Sequence, residues 1–273
     1  RYDFWWMGLG DRRRLNNWTP WCTSNCIISL LFMEKDRSRL ENGIKKSMEI
    51  LDRFIDGYPS DGGCDEGPQY WKMAGGSLFD CLELLYAASD GRINVYDRKL
   101  IGEIGRYVQR MHISGRYFVN FADGDAIITL PEELLFRYGK RTGDNSLSRF
   151  ALSLCPDVES KVRGLMKNTL LRQLYAVFDE EWLNSGECPT EYIRDVYLDG
   201  IQVMVARERQ NCDRGLFVAA KGGNNNESHN HNDVGHFIVY YNGKPMIIDV
   251  GVEEYTAKTF SDRRYEIWTM QSA

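Results

Sequence analysis

The chain has no apolar run long enough to cross a membrane, and no charged start followed by an apolar stretch and a small-residue cleavage site. Its 273 residues are 43% apolar and 12% aromatic, enough to bury the core of one large domain or two ordinary ones. We therefore expect a globular protein without a membrane partner. The chain opens without methionine and stops inside an apparently ordered element, so we expect a piece of a longer polypeptide.

An excess of positive charge is also missing. The net charge is −5 with both signs mixed along the chain. The short basic cluster Arg12 to Arg14 is typical of a solvated helix or loop face. This charge pattern argues against a nucleic-acid partner.

The seven cysteines lack the pattern of a disulfide framework. They are odd in number, scattered and mostly set among apolar helical residues, which favours reduced thiols and a cytoplasmic location. A periplasmic or secreted location stays the alternative, because a targeting segment could lie outside this chain. Cys22 and Cys26 lie one helical turn apart without a second pair at zinc-finger spacing, which indicates packing.

Strand signals are scarce before about Ser185. Apolar residues recur there at helical spacing in five segments. The segments are NCIISLLFMEK, RLENGIKKSMEILDRFIDGY, GGSLFDCLELLYAASDG, LIGEIGRYVQRMH and VRGLMKNTLLRQLYAVFDEEWL. Glycine, proline and aspartate clusters separate them, so we expect successive helices packed side by side, with loops that can carry function.

After Ser185 the pattern changes to alternation and turns. RDVYLDGIQVMVARE predicts two strands around an Asp199-Gly200 turn, and GLFVAAKGG predicts a further strand. HFIVYYNGKPMIIDVG predicts two more around Asn242-Gly243, with Tyr241 paired to Lys244. The sequence therefore predicts an α+β chain whose second part is antiparallel.

Histidine is rare and unevenly distributed. Three of the four histidines, His229, His231 and His236, fall within eight residues of the stretch KGGNNNESHNHNDVGHF. Counting outward from the Asn242-Gly243 turn places His236 opposite Asp249, so a carboxylate reaches this loop. Imidazole and carboxylate suit zinc, although no HExxH or paired-cysteine spacing supports a metal. A metal site, a catalytic base and a hydrogen-bonded polar loop all stay open.

Two stretches of the helical part also concentrate polar and aromatic side chains. GCDEGPQYWKMAGG forms a loop ahead of a helix and offers acids, an amide, a phenol and an indole where a sugar could be held. LNNWTPWC is similar, although its asparagines could cap the following helix and Trp18 and Trp21 could pack inside. Ordinary exposed turns are the competing interpretation.

Together NNWTPW, GCDEGPQYW, ESHNHNDVGHFIVYYNGKPMIIDVG and RRYEIWTMQS resemble the heparinase II/III-like polysaccharide lyases, a group that includes alginate and oligoalginate lyases. The resemblance spans nearly the whole chain. It implies an α/α toroid, incomplete at its amino end, over residues 1–186, and an antiparallel β-sandwich over residues 187–273, with the substrate cleft between them. It also implies cleavage of uronate glycans by β-elimination.

The resemblance further implies roles for individual residues. Asn17 matches the asparagine that neutralises the uronate carboxylate. Tyr70 matches the proton donor to the leaving oxygen, which in some geometries is also the base, and His229 matches the base for the opposite face. Further substrate contacts are expected from Glu66, Trp71, Asn230 and Arg264. Trp18 departs from the pattern, because several relatives have histidine there.

The resemblance also implies a structural zinc. His231 and Asp249 match two of its ligands, and the third would lie beyond residue 273. Because alternate residues of an extended segment face opposite ways, His229 would point to the cleft while His231 turns toward Asp249. His236 is the rival ligand from the hairpin register. Zinc would hold the loop rather than activate water, because elimination needs no water nucleophile.

Two other functions stay open. A glycoside hydrolase on the same kind of toroid would use Asp65 and Glu66, or another carboxylate pair, as acid and base. A carbohydrate-binding protein without turnover would keep only the cleft. The expected partner of a lyase is an acidic polysaccharide or oligosaccharide, and a homodimer is kept open as the assembly.

Overall fold

The computed structural model describes residues 4–10, 15–155, 157–165, 167–224, 234–251, 256–257 and 261–263. Within these ranges helices occupy the chain up to Asn184, apart from one short hairpin, and strands follow. The helices are a 3-10 helix (Trp5–Met7), α1 (Trp18–Met33), α2 (Arg37–Asp56), α3 (Pro68–Trp71), α4 (Gly75–Ala88), α5 (Lys99–Arg110), α6 (Glu132–Thr142), α7 (Asn145–Leu154), α8 (Val158–Leu165), α9 (Leu170–Phe178) and α10 (Glu180–Asn184). The hairpin consists of β1 (His112–Ser114) and β2 (Tyr117–Phe118), and the later strands are β3 (Asp195–Leu198), β4 (Val203–Arg207), β5 (Leu216–Lys221), β6 (Phe237–Tyr241) and β7 (Lys244–Ile247).

Four of the five helical segments predicted from apolar spacing form α1, α2, α4 and α5. The fifth is divided into α8, α9 and α10. The side chain of Asp179 accepts a hydrogen bond from the backbone N of Trp182, so a new helix begins inside the predicted segment. Helices α6 and α7 and the β1–β2 hairpin lie outside the predicted segments.

The sheet is antiparallel throughout, in the order β3-β4-β5-β6-β7. Alternate side chains of its central strands are buried, as expected for a sheet with one covered face. They include Val203, Val205, Phe217, Ala219 and Ile238, which belong to the same continuous core as the helices. The predicted fold class, a helical region followed by an antiparallel sheet, is confirmed. Toroid closure, a second sheet and a boundary at residue 187 stay predictions.

The two predicted hairpin turns have different outcomes. Asn242 and Gly243 have φ angles of 51° and 72°, as a two-residue type I′ turn requires. The predicted Asp199-Gly200 turn is wrong, because Leu198 pairs with Val203 and four residues lie between them. The backbone N of Gly200 donates to Asp61 Oδ2 at 2.7 Å, so a contact with the helical region, rather than a tight turn, holds this loop.

The β6–β7 register contains an irregularity that regular counting from the turn does not predict. Tyr241 pairs with Lys244 as predicted, but Val239 pairs with Ile247 instead of Met246. Pro245 lies at this point and has no backbone N–H to donate, which explains the bulge in an edge strand. Regular counting outward from the turn therefore fails beyond Tyr240.

Contacts between side chains and backbone join the sheet to the helical region. The guanidinium of Arg207 donates to the backbone carbonyls of His112 and Ile113, and Ser114 Oγ donates to Asp213 Oδ2 at 2.9 Å. Asp249 accepts a hydrogen bond at its backbone O from Asn120 Nδ2 at 3.3 Å.

Every helix in the described ranges is too short or too polar to cross a membrane.

Candidate active site

Two loops of the helical region meet directly before α3. Gly67 has a φ of 87°, and a Cβ atom added there would lie 2.7 Å from the backbone O of Phe121. Only glycine therefore allows the loop that precedes α3 to lie against the loop around Phe121. Pro68 then begins α3, where proline at the first position loses no helical hydrogen bond, and Tyr70 lies half-buried in this short helix.

Asn17 and Glu66 form the centre of the candidate site. Asn17 directly precedes α1 and Glu66 lies in the loop before α3, and their side chains are 4% and 1% exposed. Asn17 Nδ2 donates to Glu66 Oε2 at 2.6 Å, and the backbone N of Asn17 donates to Oε1 at 3.3 Å. Among the described residues, Asn17 Oδ1 is buried without a hydrogen-bond partner. One N–H of the amide remains for a ligand, because the first is used by Glu66.

Tyr70 lies beside this pair in an acidic environment. Burial raises the pKa of Tyr70, and the negative charges of Asp123, Glu66 and Asp125 raise it further. The hydroxyl group therefore stays protonated at neutral pH. Such a phenol can donate a proton but is a poor base, so the structure fits the donor role that the resemblance implies for Tyr70 better than the base role.

Asp123 is a residue of the candidate site that the sequence does not predict. Asp123 is 2% exposed, and the preceding Ala122 has a φ of 61°, a left-handed conformation that is unfavourable for alanine. Gln69 accepts a hydrogen bond from the backbone N of Asp125, which ties this loop to α3. The stretch FADGDA identifies a loop, but nothing in it indicates contact with Tyr70, more than fifty positions earlier.

The side chains of His236 and Asp249 meet beside the β6–β7 pair, although the bulge removes the regular ladder register from which their pairing is predicted. His236 Nε2 lies 2.9 Å from Asp249 Oδ2 despite the bulge in the strand pair. The imidazole packs edge-on against the ring of Phe121 with 4.3 Å between the ring centroids. This end of the sheet therefore contacts the same loop that brings Asp123 to Tyr70.

The predicted zinc site lies only partly within the described residues. Asp249 supplies a carboxylate whose Oδ2 lies next to the imidazole of His236. Its Oδ1 accepts a hydrogen bond from the backbone N of Gly251 at 2.7 Å. These donor types suit zinc. Across the described ranges no group of three histidine, cysteine or acidic residues is arranged to hold a metal. His229, Asn230, His231 and Arg264 lie outside the described residues.

The structure corrects the expected substrate contacts of Trp71 and Glu66. Trp71 is 0% exposed, and its indole donates to the backbone O of Ile104 at 2.8 Å, so it packs in the core and cannot contact a substrate. Glu66 is 1% exposed and accepts from both the side-chain amide and the backbone N of Asn17, so it orients Asn17 instead of contacting a substrate. Trp18, by contrast, is 47% exposed at the start of α1 instead of packed inside.

A cavity of about 730 Å³ lies elsewhere, between α5 and β3. Its lining does not include Asn17, Glu66 or Tyr70. Its arginines are already engaged with carboxylates: Arg106 Nε bonds Asp144, and Arg110 bonds Glu103. We place the candidate site at Tyr70 and not in this cavity, because the region of Tyr70 combines an unpartnered buried amide oxygen with a titrating group whose pKa is shifted.

Comparisons with known proteins support the fold. No family model matches the chain, and no curated protein matches its sequence. Among solved structures, a heparinase III gene product matches with a TM-score of 0.58 and 16% identity over 95% of this chain and 37% of its own. A form of that product with methylated lysines matches with a TM-score of 0.56 and 16% identity, over 91% of this chain and 34% of its own. The chain thus spans about a third of the length of these structures and has a heparinase III-like fold.

Proposed function

We propose that this chain carries part of the catalytic cleft of a polysaccharide lyase that cleaves uronate-containing glycans by β-elimination. The observation that carries the proposal is the meeting of Asn17 and Tyr70 around Glu66, from segments some fifty residues apart, on a fold shared with a heparinase III gene product. In such a reaction a base, here His229, takes the proton from C5, the bond from C4 to the glycosidic oxygen breaks as Tyr70 protonates that oxygen, and a double bond forms between C4 and C5.

Each described residue has a chemical task in this proposal. The remaining N–H of Asn17 donates to the uronate carboxylate, so that negative charge can develop on it as the C5 proton leaves. Tyr70, held protonated by burial and its acidic neighbours, gives its proton to the leaving oxygen. Glu66 keeps the amide of Asn17 in place. His229 is proposed as the base for substrates whose C5 proton lies on the opposite face.

Several further roles are part of the proposal. His231 and Asp249 would hold a structural zinc, which when bound would fix the orientation of the histidine loop. Asn230 and Arg264 would contact the acidic substrate. His231→Ala should lower metal content, stability and activity together, whereas His229→Ala should lower activity and leave metal content intact. Full metal in the His231 variant and none in the His229 variant would reverse the two assignments.

Incubation of the protein with heparan-type, chondroitin-type and alginate oligomers tests the reaction, because elimination gives an unsaturated product that absorbs ultraviolet light. Tyr70→Phe should lower kcat by about 10²- to 10⁴-fold, the usual contribution of a positioned proton donor. Tyr197→Phe is the matched control, because Tyr197 is 64% exposed on β3. An absence of absorbing product from every uronate oligomer would argue against a lyase.

The acidic loop favours a glycoside hydrolase as the second candidate. Asp65 and Glu66 do not form its acid and base pair, because Glu66 is bonded to Asn17. Asp123 and Asp125 are better placed, since both lie close enough to Tyr70 to raise its pKa. A hydrolase would release reducing ends without ultraviolet absorbance and keep most of its activity in Tyr70→Phe. Glycan binding without any product would instead indicate a non-catalytic protein.

A further inference from the structure

Three tryptophans lie together next to Asn17. The ring centroid of Trp18 is 6.0 Å from that of Trp5 and 5.5 Å from that of Trp21, with the rings tilted. Trp18 and Trp21 are three positions apart and therefore lie on the same side of α1. The 3-10 helix that carries Trp5 is attached to α1 by a hydrogen bond of 2.7 Å from Thr19 Oγ1 to the backbone O of Trp6. We call Trp5, Trp18 and Trp21 the tryptophan platform.

The platform is unusually open to solvent for such large side chains. Trp5 is 54% exposed and Trp18 is 47% exposed, whereas Trp71 and Trp182 are at most 1% exposed. Exposed aromatic groups that contact one another in a patch commonly mark a binding surface. The platform adjoins Asn17, the residue before Trp18, and Asn17 is bonded to Glu66 beside Tyr70. The platform therefore begins at the residue that directly follows Asn17 of the candidate site.

We propose that the tryptophan platform is a sugar-binding subsite of the cleft, which stacks on the apolar face of a pyranose ring next to the ring held by Asn17. This inference rests on the proposed function for the identity of the neighbouring ring. An indole offers a wide, uncharged aromatic face and loses little conformational entropy on binding. Sugar rings offer a matching face of C–H groups while their hydroxyl groups stay in water.

The chemistry of stacking also sets a preference among sugars. A ring whose substituents are all equatorial, as in a gluco-configured unit, has two faces of C–H groups that can lie flat on an indole. Guluronate has axial hydroxyl groups, which keep an aromatic ring away. The platform therefore selects gluco-configured units by shape. Its contribution is insensitive to salt, because the indoles carry no charge.

Binding to a variant whose turnover is greatly slowed tests this proposal independently of the reaction. In a Tyr70→Phe background, titration calorimetry and tryptophan fluorescence would follow a tetrasaccharide of alternating glucuronate and N-acetylglucosamine, with tetraguluronate as the comparison. Trp18→Ala should raise the dissociation constant for the first probe by about 10-fold or more, which corresponds to about 1.4 kcal/mol of binding free energy. Trp18→Phe should restore most of the affinity.

The control is Phe178→Ala, which removes an aromatic side chain that is 78% exposed on α9, and it should leave both affinities unchanged. Equal affinity in Trp18→Ala and its parent, or tighter binding of tetraguluronate, would overturn the proposal. A concentration-dependent dimer that Trp18→Ala abolishes, without any effect on the sugar, would show that a second copy covers the platform instead. If Trp18→Ala weakens binding of the sugar while the unmutated protein forms no unsaturated product, the lyase reaction is rejected and the subsite is kept.

Discussion

Glu66 is the residue on which the geometry of Asn17 depends. Its two carboxylate oxygens accept from the side-chain amide and the backbone N of Asn17, and glutamine can replace only one of these acceptors. Glu66→Gln should therefore lower the free energy of unfolding by about 1–3 kcal/mol, the cost of a buried group without its partner. Chemical denaturation would measure this loss, with the exposed Glu49→Gln as the control.

The same substitution has a second, independent effect on Tyr70. The negative charge of Glu66 helps to raise the pKa of Tyr70, so its removal lowers that pKa. A proton donor works only while it is protonated. The alkaline limb of the activity profile should therefore move to lower pH in Glu66→Gln, and an unchanged or upward-shifted limb would contradict Tyr70 as the donor.

Two buried titrating groups have opposite effects on stability in the same pH range. Burial raises the pKa of Glu132 from 4.5 to about 7, so between these values the folded protein keeps a proton that the unfolded chain has released. The free energy of unfolding therefore falls as pH rises through this window. Burial lowers the pKa of His112 from 6.5 to about 4, which makes stability rise with pH over nearly the same window.

Removal of one group should uncover this compensation. In Glu132→Gln the fall in the free energy of unfolding between pH 4.5 and about pH 7 is absent. The free energy of unfolding of the variant, relative to that of the unmutated protein, should therefore rise by roughly 3 kcal/mol across this range, at about 1.4 kcal/mol per pKa unit. Urea denaturation at intervals from pH 4 to pH 8 would measure the difference. The control is Glu159→Gln, since the side chain of Glu159 is 82% exposed. Parallel curves for Glu132→Gln and the unmutated protein would show that Glu132 does not titrate as a buried group.

Some individual residues of the site could be predicted from the sequence, and others could not. Asn17 and Tyr70 lie in short stretches whose composition already indicates a polar, aromatic loop. The bond from Asn17 to Glu66 joins positions 49 residues apart, and no periodicity or spacing relates them. The sequence predicts a substrate contact for Trp71, but an indole in such a loop can face the cleft or the core, and packing against the core decides the direction.

At the level of elements, the β6–β7 turn contributes more than a reversal of the chain. Gly243 has a φ of 72°, and a Cβ atom there would lie 2.6 Å from Ser114 Oγ of the β1–β2 hairpin. Gly243→Ala combines backbone strain with this clash and should lower the free energy of unfolding by about 1–3 kcal/mol. Gly102→Ala is the control: Gly102 lies within α5 with no atom in reach of its Cβ, so stability should rise by about 0.5–1 kcal/mol.

The same hairpin shows how far elements follow from local sequence. Asn242-Gly243 specifies its turn because both residues accept positive φ angles, and the prediction is confirmed. Asp199-Gly200 has the same chemistry but lies in a four-residue loop, because Asp61 of the helical region binds the backbone of Gly200. Where a distant side chain takes part, turn preferences alone do not decide the geometry.

In the whole molecule, Arg207 is a main connection between the sheet and the helical region. It is 5% exposed, donates to the backbone carbonyls of His112, Ile113 and Ile193, and lies over the rings of Tyr192 and Phe217. Burial lowers the pKa of Arg207 to about 10, which still leaves it charged at neutral pH. Arginine fits this position because its planar group donates in several fixed directions and has a very high intrinsic pKa.

Arg207→Lys should separate the stability of the two regions. A lysine cannot reach all three carbonyls, because its ammonium group donates from a single point on a flexible stem. Burial would also lower the pKa of the lysine below its intrinsic value of about 10.4. At about 1–3 kcal/mol for each buried carbonyl that loses its donor, we expect a loss of roughly 3 kcal/mol or more. In calorimetry we expect one transition for the unmutated protein, and in Arg207→Lys this transition should move to lower temperature and broaden or divide, as the sheet unfolds before the helices. Arg209→Lys, at a side chain that is 65% exposed, should leave the transition unchanged. Equal transitions for the two variants would mean that core packing alone, without Arg207, couples the sheet that holds His236 and Asp249 to the loops that hold Tyr70.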